Sequence, residues 1–348
     1  MRKGFCLFLI LGCDIGVQSK PTQTGPSPAA DAIPYRDDLA HHPGCTTDGL
    51  SYPAAQIPGY LCAAKEYSVT EDTSKPIVIL VHGNSSTPAD YEKYPADTGM
   101  PQLSERLTAA GFRTIAVDFR IDKNDDPQTN NTTENAARNI DHAWASPILE
   151  HLITKVIAAY PDRKIDVVGF SLGTTVVRDA LRRLHNQGGN ARPWSHLKDV
   201  VLLSGANHGV STFSKLCGSN PTMRGKVACQ MGPRDNFVPP DFMKALNGMA
   251  SGWEAPCADG NSAYGETGVC GGNHVRYLTV VMQDISDGSY QDEFVSEAST
   301  HLEGADNQHV SLQDFDTSNY FYNGLFKNHY GSLRSEAGLT IIMNKVTQ

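Results

Sequence analysis

One short stretch restricts the architecture of this chain more than any other. Ile165-Asp166-Val167-Val168 runs into Gly169-Phe170-Ser171-Leu172-Gly173, and Asp179 to Leu184 follows with helix-forming character. A β-branched run of this kind reads as a buried strand. A Gly-x-Ser-x-Gly pentapeptide between a strand and a helix is what a nucleophile elbow requires. There the serine sits on a strained strand-to-helix turn, with helix amides behind it. Glycines at 169 and 173 leave room for the two closely packed backbones. The plainer alternative is a structural turn.

The rest of the chain alternates in the same manner. Pro76 to Val81 is a continuous apolar run ending in His82-Gly83, as expected of a strand buried on both faces. Leu103 to Ala110 reads as a helix stopped by Gly111, and Thr114 to Asp118 as a strand. Ala143 to Tyr160 carries apolar residues at helical spacing. Leu197 to Leu203, Val275 to Met282 and Asn307 to Leu312 read as further strands, and Leu339 to Val346 as a closing helix. Strands alternating with helices predict an α/β fold with a mostly parallel sheet covered on both faces.

Two stretches break the alternation. Residues 35–70 carry a cysteine pair and predict an N-terminal extension or edge hairpin. Residues 210–274 hold four cysteines among many Gly, Pro and Asn. So long a segment between strands is usually functional or stapled, and ligands bind beyond the carboxyl ends of such strands. It is therefore expected to form a cap beside the active site.

The first residues read as a targeting signal. Arg2 and Lys3 precede an apolar run, Gly4 to Gly12, too short to span a bilayer. The run closes in Ile10-Leu11-Gly12-Cys13, which resembles a bacterial lipobox with Cys13 as the lipid-accepting residue; a conventional secretion signal cleaved elsewhere is the alternative. Residues 1–13 are thus expected to be a signal segment and 14–35, rich in Pro, Ser, Thr and Gly, a flexible linker. Residues 36–348 would form the folded domain, held at a membrane surface by acyl chains and placed in the cell envelope or outside the cell.

Export fits the cysteines. Setting aside Cys6 and Cys13 leaves six in three sequence-local couples, predicting Cys45–Cys62, Cys217–Cys229 and Cys257–Cys270. Each bridge would contribute on the order of 3 kcal/mol. No CxxC pair occurs, which disfavours a zinc site, and there is no recognisable calcium loop. No metal or organic cofactor is implied. The net charge of −9 and the lack of a basic cluster argue against nucleic acid, and nothing points to an obligate protein partner.

A serine hydroxyl becomes nucleophilic when a histidine takes its proton and a carboxylate orients that histidine. In folds of this kind the order along the chain is serine, acid, histidine, so both partners must follow Ser171. His329, in Asn328-His329-Tyr330-Gly331 just before the terminal helix, is the preferred base. It is expected on a loop hanging over the elbow. His309 is the alternative, inside the last strand, and His208 more plausibly lines the cleft. Asp292 is the preferred acid, with Asp287 and then Asp284 open. The oxyanion donors are expected to be the amides of Leu172 and of Asn84, beyond His82-Gly83.

Together, Val78 to Gly83, Val167 to Gly173 and Val201 to Asn207 resemble the α/β-hydrolase superfamily. More narrowly they resemble secreted bacterial triacylglycerol lipases of the class 2 group and related extracellular polyester depolymerases. Asp292-Glu293-Phe294-Val295 is similar to the Asp-x-x-Val acid loop of bacterial lipases. Leu302 to Asn307, then Asn328 to Ser335, resemble their final strand and His-x-Gly-x-Leu loop. The resemblance implies an α/β-hydrolase fold and a serine carboxylester hydrolase acting on an ester or lipid substrate. A polyester depolymerase is the runner-up, and a binding lipoprotein on the same scaffold a more distant reading. The disulfide-bearing insertion is absent from minimal lipases, so substrate preference does not carry over. Phe315, Tyr320, Phe321, Tyr322 and Phe326, shortly before His329, suit an acyl or aryl pocket or equally core packing.

Overall fold

The computed structural model describes residues 50–67, 71–84, 86–93, 100–119, 142–187, 193–211, 230–232, 241–247, 254–258, 270–284, 287–311 and 327–348. The expected signal segment, Cys13, the linker and the aromatic run 315–326 lie outside them, as do Cys45, Cys217 and Cys229.

Among the described residues the strands are β1 (Ala63–Tyr67), β2 (Ile77–Val81), β3 (Arg113–Asp118), β4 (Ile165–Phe170), β5 (Leu197–Leu203), β6 (Arg276–Met282) and β7 (Asp306–Val310). They form one seven-stranded sheet in the order β1-β3-β2-β4-β5-β6-β7. Only β1 runs antiparallel, with Ala63 opposite Asp118 and Tyr67 opposite Thr114; all other pairings are parallel. The segment before β1 folds back on it, with Ala54 bridged to Lys65, as expected of an edge hairpin.

Among the described residues the helices are α1 (Leu103–Ala109), α2 (His142–Ala159), α3 (Leu172–Gln187), α4 (Asp241–Asn247), α5 (Glu297–Thr300), α6 (Lys327–Arg334) and α7 (Glu336–Thr347). Alternation along the strands divides the core into two layers. Ile77, Ile79 and Val81 face one layer, with Ile148, Leu152 and Val156 of α2 and Val177 and Leu181 of α3. Val78 and Leu80 face the other, with Leu103 and Leu107 of α1, Leu333 of α6 and Ile342 of α7. A sheet covered on both faces explains why its strands read as unbroken apolar runs.

The described parts of the insertion at 210–274 pack into the first layer. Met231 and, on α4, Phe242, Met243 and Leu246 are buried there. Arg178 of α3 clamps the segment, donating to the carbonyls of Asn207 (3.0 Å) and Leu246 (3.2 Å) and to Asn247 Oδ1 (2.8 Å). The Cys257–Cys270 disulfide is present, with a Cα–Cα distance of 5.7 Å. The Val275 amide donates to the Cys257 carbonyl at 3.0 Å, tying the staple to the entry of β6. Cys62 is also disulfide-bonded. Among the described residues no helix is long and apolar enough to cross a membrane.

Candidate active site

Ser171 occupies the turn between β4 and α3 with φ of +55°, a conformation that side-chain-bearing residues rarely adopt. Its amide donates to the Leu203 carbonyl at 2.9 Å, which fixes the turn against β5. The turn closes only because Gly173 has no side chain. A Cβ there would sit 2.3 Å from the Val81 carbonyl oxygen and 2.6 Å from that of His82. Gly83 approaches from the other side, where a Cβ would lie 3.0 Å from the Cβ of Ser171. The loop after β2 therefore lies directly against the serine.

His329 lies 158 residues further along the chain, with its Nε2 2.7 Å from Ser171 Oγ. Its Nδ1 lies 2.7 Å from Asp292 Oδ2. A carboxylate only accepts, so Nδ1 carries the hydrogen and Nε2 of the neutral ring is left to accept from the serine. Asp292 is held by its own loop, its Oδ1 accepting from the amides of Phe294 and Val295, both at 2.8 Å. Its Oδ2 is thereby left to the imidazole. The side chain of Asp292 is fully buried and that of His329 nearly so.

His329 stands on α6, not on the expected loop. Asn328, Gly331 and Ser332 are weak helix formers, and tertiary contacts override them. Glu293 accepts from the amides of Asn328 (3.2 Å) and His329 (2.8 Å), capping donors that a first helical turn leaves unpaired. Ser204, itself at φ +46°, donates to the His329 carbonyl at 2.9 Å and pairs with Ser332 Oγ at 2.8 Å. The rings of Phe170 and Phe294 flank the imidazole with centroids 5.1 and 4.8 Å away.

Burial alone would push the His329 imidazole down, since it disfavours the charged ring. The charge and hydrogen bond of Asp292, with the charges of Glu293 and Asp90, outweigh it and raise the imidazole above its ordinary value. Asp90 lies fully buried behind the β2 loop. It accepts from the Gly83 amide at 3.1 Å, from the Ser86 hydroxyl and from the Tyr330 hydroxyl at 3.4 Å. Burial raises the Asp90 carboxyl against the opposing pull of the Ser86 hydroxyl, His82, the Gly83 amide and Arg334. Arg334 donates to the Asp90 carbonyl at 2.9 Å, so the loop beside the serine and the helix bearing His329 are tied together.

Residues 78–295 match the alpha/beta hydrolase family. The chain belongs to that family. The matched span includes Ser171 and Asp292 and ends before His329. Among solved structures, the hydrolase is similar to a Bacillus licheniformis lipase in mature form, at 16% identity over 81% of this chain and 97% of that one, with a TM-score of 0.49. It is also similar to Aspergillus fumigatus lipase B, at 16% identity over 77% and 51% of the two chains, with a TM-score of 0.44. An esterase from Exiguobacterium antarcticum shares 13% identity over 82% and 95%, with a TM-score of 0.40. No curated protein sequence matches the chain.

The other candidates of the hydrolase stand apart from this chain of hydrogen bonds. Asp287 is exposed and accepts from the amide and hydroxyl of Ser289, at 2.8 and 2.6 Å; those bonds hold its carboxyl below the usual range. Asp284 accepts from Asn328 Nδ2 at 3.3 Å. His309 stands on β7 against Glu297 at 2.6 Å, and the ring of His208 contacts Glu254 at 3.0 Å. Leu172 opens α3 directly after the serine, and Asn84 follows Gly83 at the surface. Glu293, Asp90 and Ser204 were missed by sequence reasoning. Glu293 alone left a signal, as the second acid of an Asp-Glu pair. Asp90 and Ser204 are ordinary polar residues until the fold buries them.

Proposed function

We propose that this hydrolase is a serine carboxylester hydrolase of the lipase or esterase type, exported and held at a membrane surface by acyl chains on Cys13. One observation carries the reading of the chemistry: the chain Ser171 Oγ to His329 Nε2 and His329 Nδ1 to Asp292 Oδ2, at 2.7 Å in each link. Ser171 attacks the ester carbonyl while His329 takes its proton. Asp292 holds the imidazole in the tautomer that accepts this proton and stabilises the imidazolium that forms. The Leu172 and Asn84 amides receive the oxyanion, a donor of this kind contributing about 3–4 kcal/mol to the transition state. His329 then protonates the departing alcohol. Water, deprotonated by the same imidazole, releases the acid from the acyl-enzyme.

The test is covalent labelling of the full chain with a fluorophosphonate, followed by rates on p-nitrophenyl esters of increasing acyl length. Ser171 is expected to be the labelled residue, and Ser171→Ala to abolish both labelling and turnover. A chain that only binds would stay unlabelled and sink the reading. Fastest turnover on short acyl chains marks an esterase and on long chains a lipase. The anchor is tested separately: Cys13→Ser should abolish incorporation of a labelled fatty acid and release the protein from membranes.

A further inference from the structure

A second cluster of reactive side chains lies outside this site. Glu297 opens α5 and His301 caps its end, so their spacing of four puts both on one helical face. β7, paired to β6, brings His309 against that face. Glu297 Oε1 lies 2.6 Å from His309 Nε2 and 3.8 Å from His301 Nε2. The three potential ligand atoms all fall within 4.8 Å of one another. His301 Nε2 is shut off from solvent and has no hydrogen-bond partner, a condition that folded proteins rarely leave uncompensated. Nothing in the ester chemistry above uses these residues.

We propose that Glu297, His301 and His309 form a binding site for a divalent transition-metal ion, zinc foremost. Two imidazoles and one carboxylate suit zinc, cobalt or nickel, whereas calcium and magnesium take oxygen ligands throughout. A tetrahedral zinc with bonds of about 2.0–2.1 Å holds its ligand atoms about 3.3 Å apart. The observed 2.6 and 3.8 Å straddle that separation, so small side-chain rotations admit the ion. Glu297 and His309 are partly exposed, which gives the ion a path past them to the covered His301 Nε2 and leaves the fourth position to water. Sequence reading missed the site because its ligands are spread over 297–309 with no recognised zinc spacing. The ion would clamp α5 to β7. The Glu297 amide donates to the Tyr290 carbonyl at 2.9 Å, so the clamp would also steady the loop that carries Asp292. Its role is structural, and the inference stands apart from the ester reading.

The test uses the full chain, stripped with a chelator and titrated with zinc in a calorimeter and with cobalt(II) in visible absorption. One equivalent of zinc is expected to bind, and cobalt to give a four-coordinate spectrum. Zinc at about a hundredfold excess over its Kd should raise the Tm by at least about 3 °C. Glu297→Gln and His301→Gln should each weaken zinc binding by at least about tenfold, since loss of a ligand costs no less than loss of a residue behind one. Circular dichroism confirms that each variant is folded, and Glu297→Gln, which keeps shape and size, decides the matter if His301→Gln is not. Absence of stoichiometric binding overturns the proposal. So does binding that survives both substitutions, which would place the metal elsewhere, for instance on His329 and Asp292.

Discussion

At the scale of single residues, the decisive feature is an imidazole whose surroundings favour its charged form. Asp292, Glu293 and Asp90 all raise the His329 pKa, against burial. On the proposed mechanism the base must be neutral to accept the serine proton. Activity should therefore be lost as pH falls through a midpoint above the ordinary histidine value of about 6.5, measured as kcat/KM on a p-nitrophenyl ester. Glu293→Gln removes one raising charge, and its profile should shift to lower pH with turnover largely kept. Asp292→Asn should instead lower kcat by about 10⁴, because the wrong tautomer faces Ser171. An unchanged midpoint in Glu293→Gln would show that its charge does not reach the base. Ser171 was legible at this scale because a Gly-x-Ser-x-Gly between strand and helix has a local physical meaning. Asp292 and His329 were reached by chain order together with their local sequence context and a resemblance to lipase acid and histidine loops, and the fold places the alternative Asp287 in solvent against Ser289. Asp90 left no trace in the sequence, because its importance is burial and burial is a property of the fold.

At the scale of elements, the strands were the most legible part of the chain. Ile77 to Val81 and Leu197 to Leu203 could be read directly because both faces of each are covered. α6 was misread as a loop because its stability comes from outside it, from Glu293 at its start and Ser204 beneath its first turn. The tight crossing of α3 over β2 gives a prediction in which two rules oppose each other. Helix propensity alone makes Gly173→Ala favourable by about 1 kcal/mol. The 2.3 Å approach of the new methyl to the Val81 carbonyl forbids it. Gly173→Ala should therefore destabilise the protein by about 1–3 kcal/mol in urea unfolding. A stabilised variant would mean that α3 moves freely away from the sheet.

At the scale of the whole molecule, the alternating pattern was enough for a mostly parallel sheet with two covering layers. The insertion was legible as a disulfide-stapled interruption, and its Cys257–Cys270 staple is present. Several of its described residues, among them Met231, Phe242, Met243 and Leu246, are buried in the core, a role that the scatter of Gly, Pro and Asn around them concealed. Breaking Cys257–Cys270 by paired serine substitution should lower stability by about 3 kcal/mol, seen as a lower denaturation midpoint in urea. Stability should also respond to Asp166, at the opposite end of the sheet from Ser171. Its carboxyl is buried on β4 beside Asp199, with Oδ2 unpartnered. Burial, then the Asp199 charge, holds it well above the usual carboxylate range. The folded state thus keeps a proton that the unfolded chain releases near pH 4. This contribution is full below that pH and declines as pH rises towards the folded value. Asp166→Asn, with no proton to lose, should flatten that part of the stability-pH curve, and an unaltered slope would rule Asp166 out as its source. The order of the parts has a consequence in time. The proposed nucleophile and its proposed proton acceptor stand 158 residues apart along the polypeptide. On the proposed mechanism, synthesis must run past position 329 before the serine can be activated, so a chain cut between the two is chemically silent.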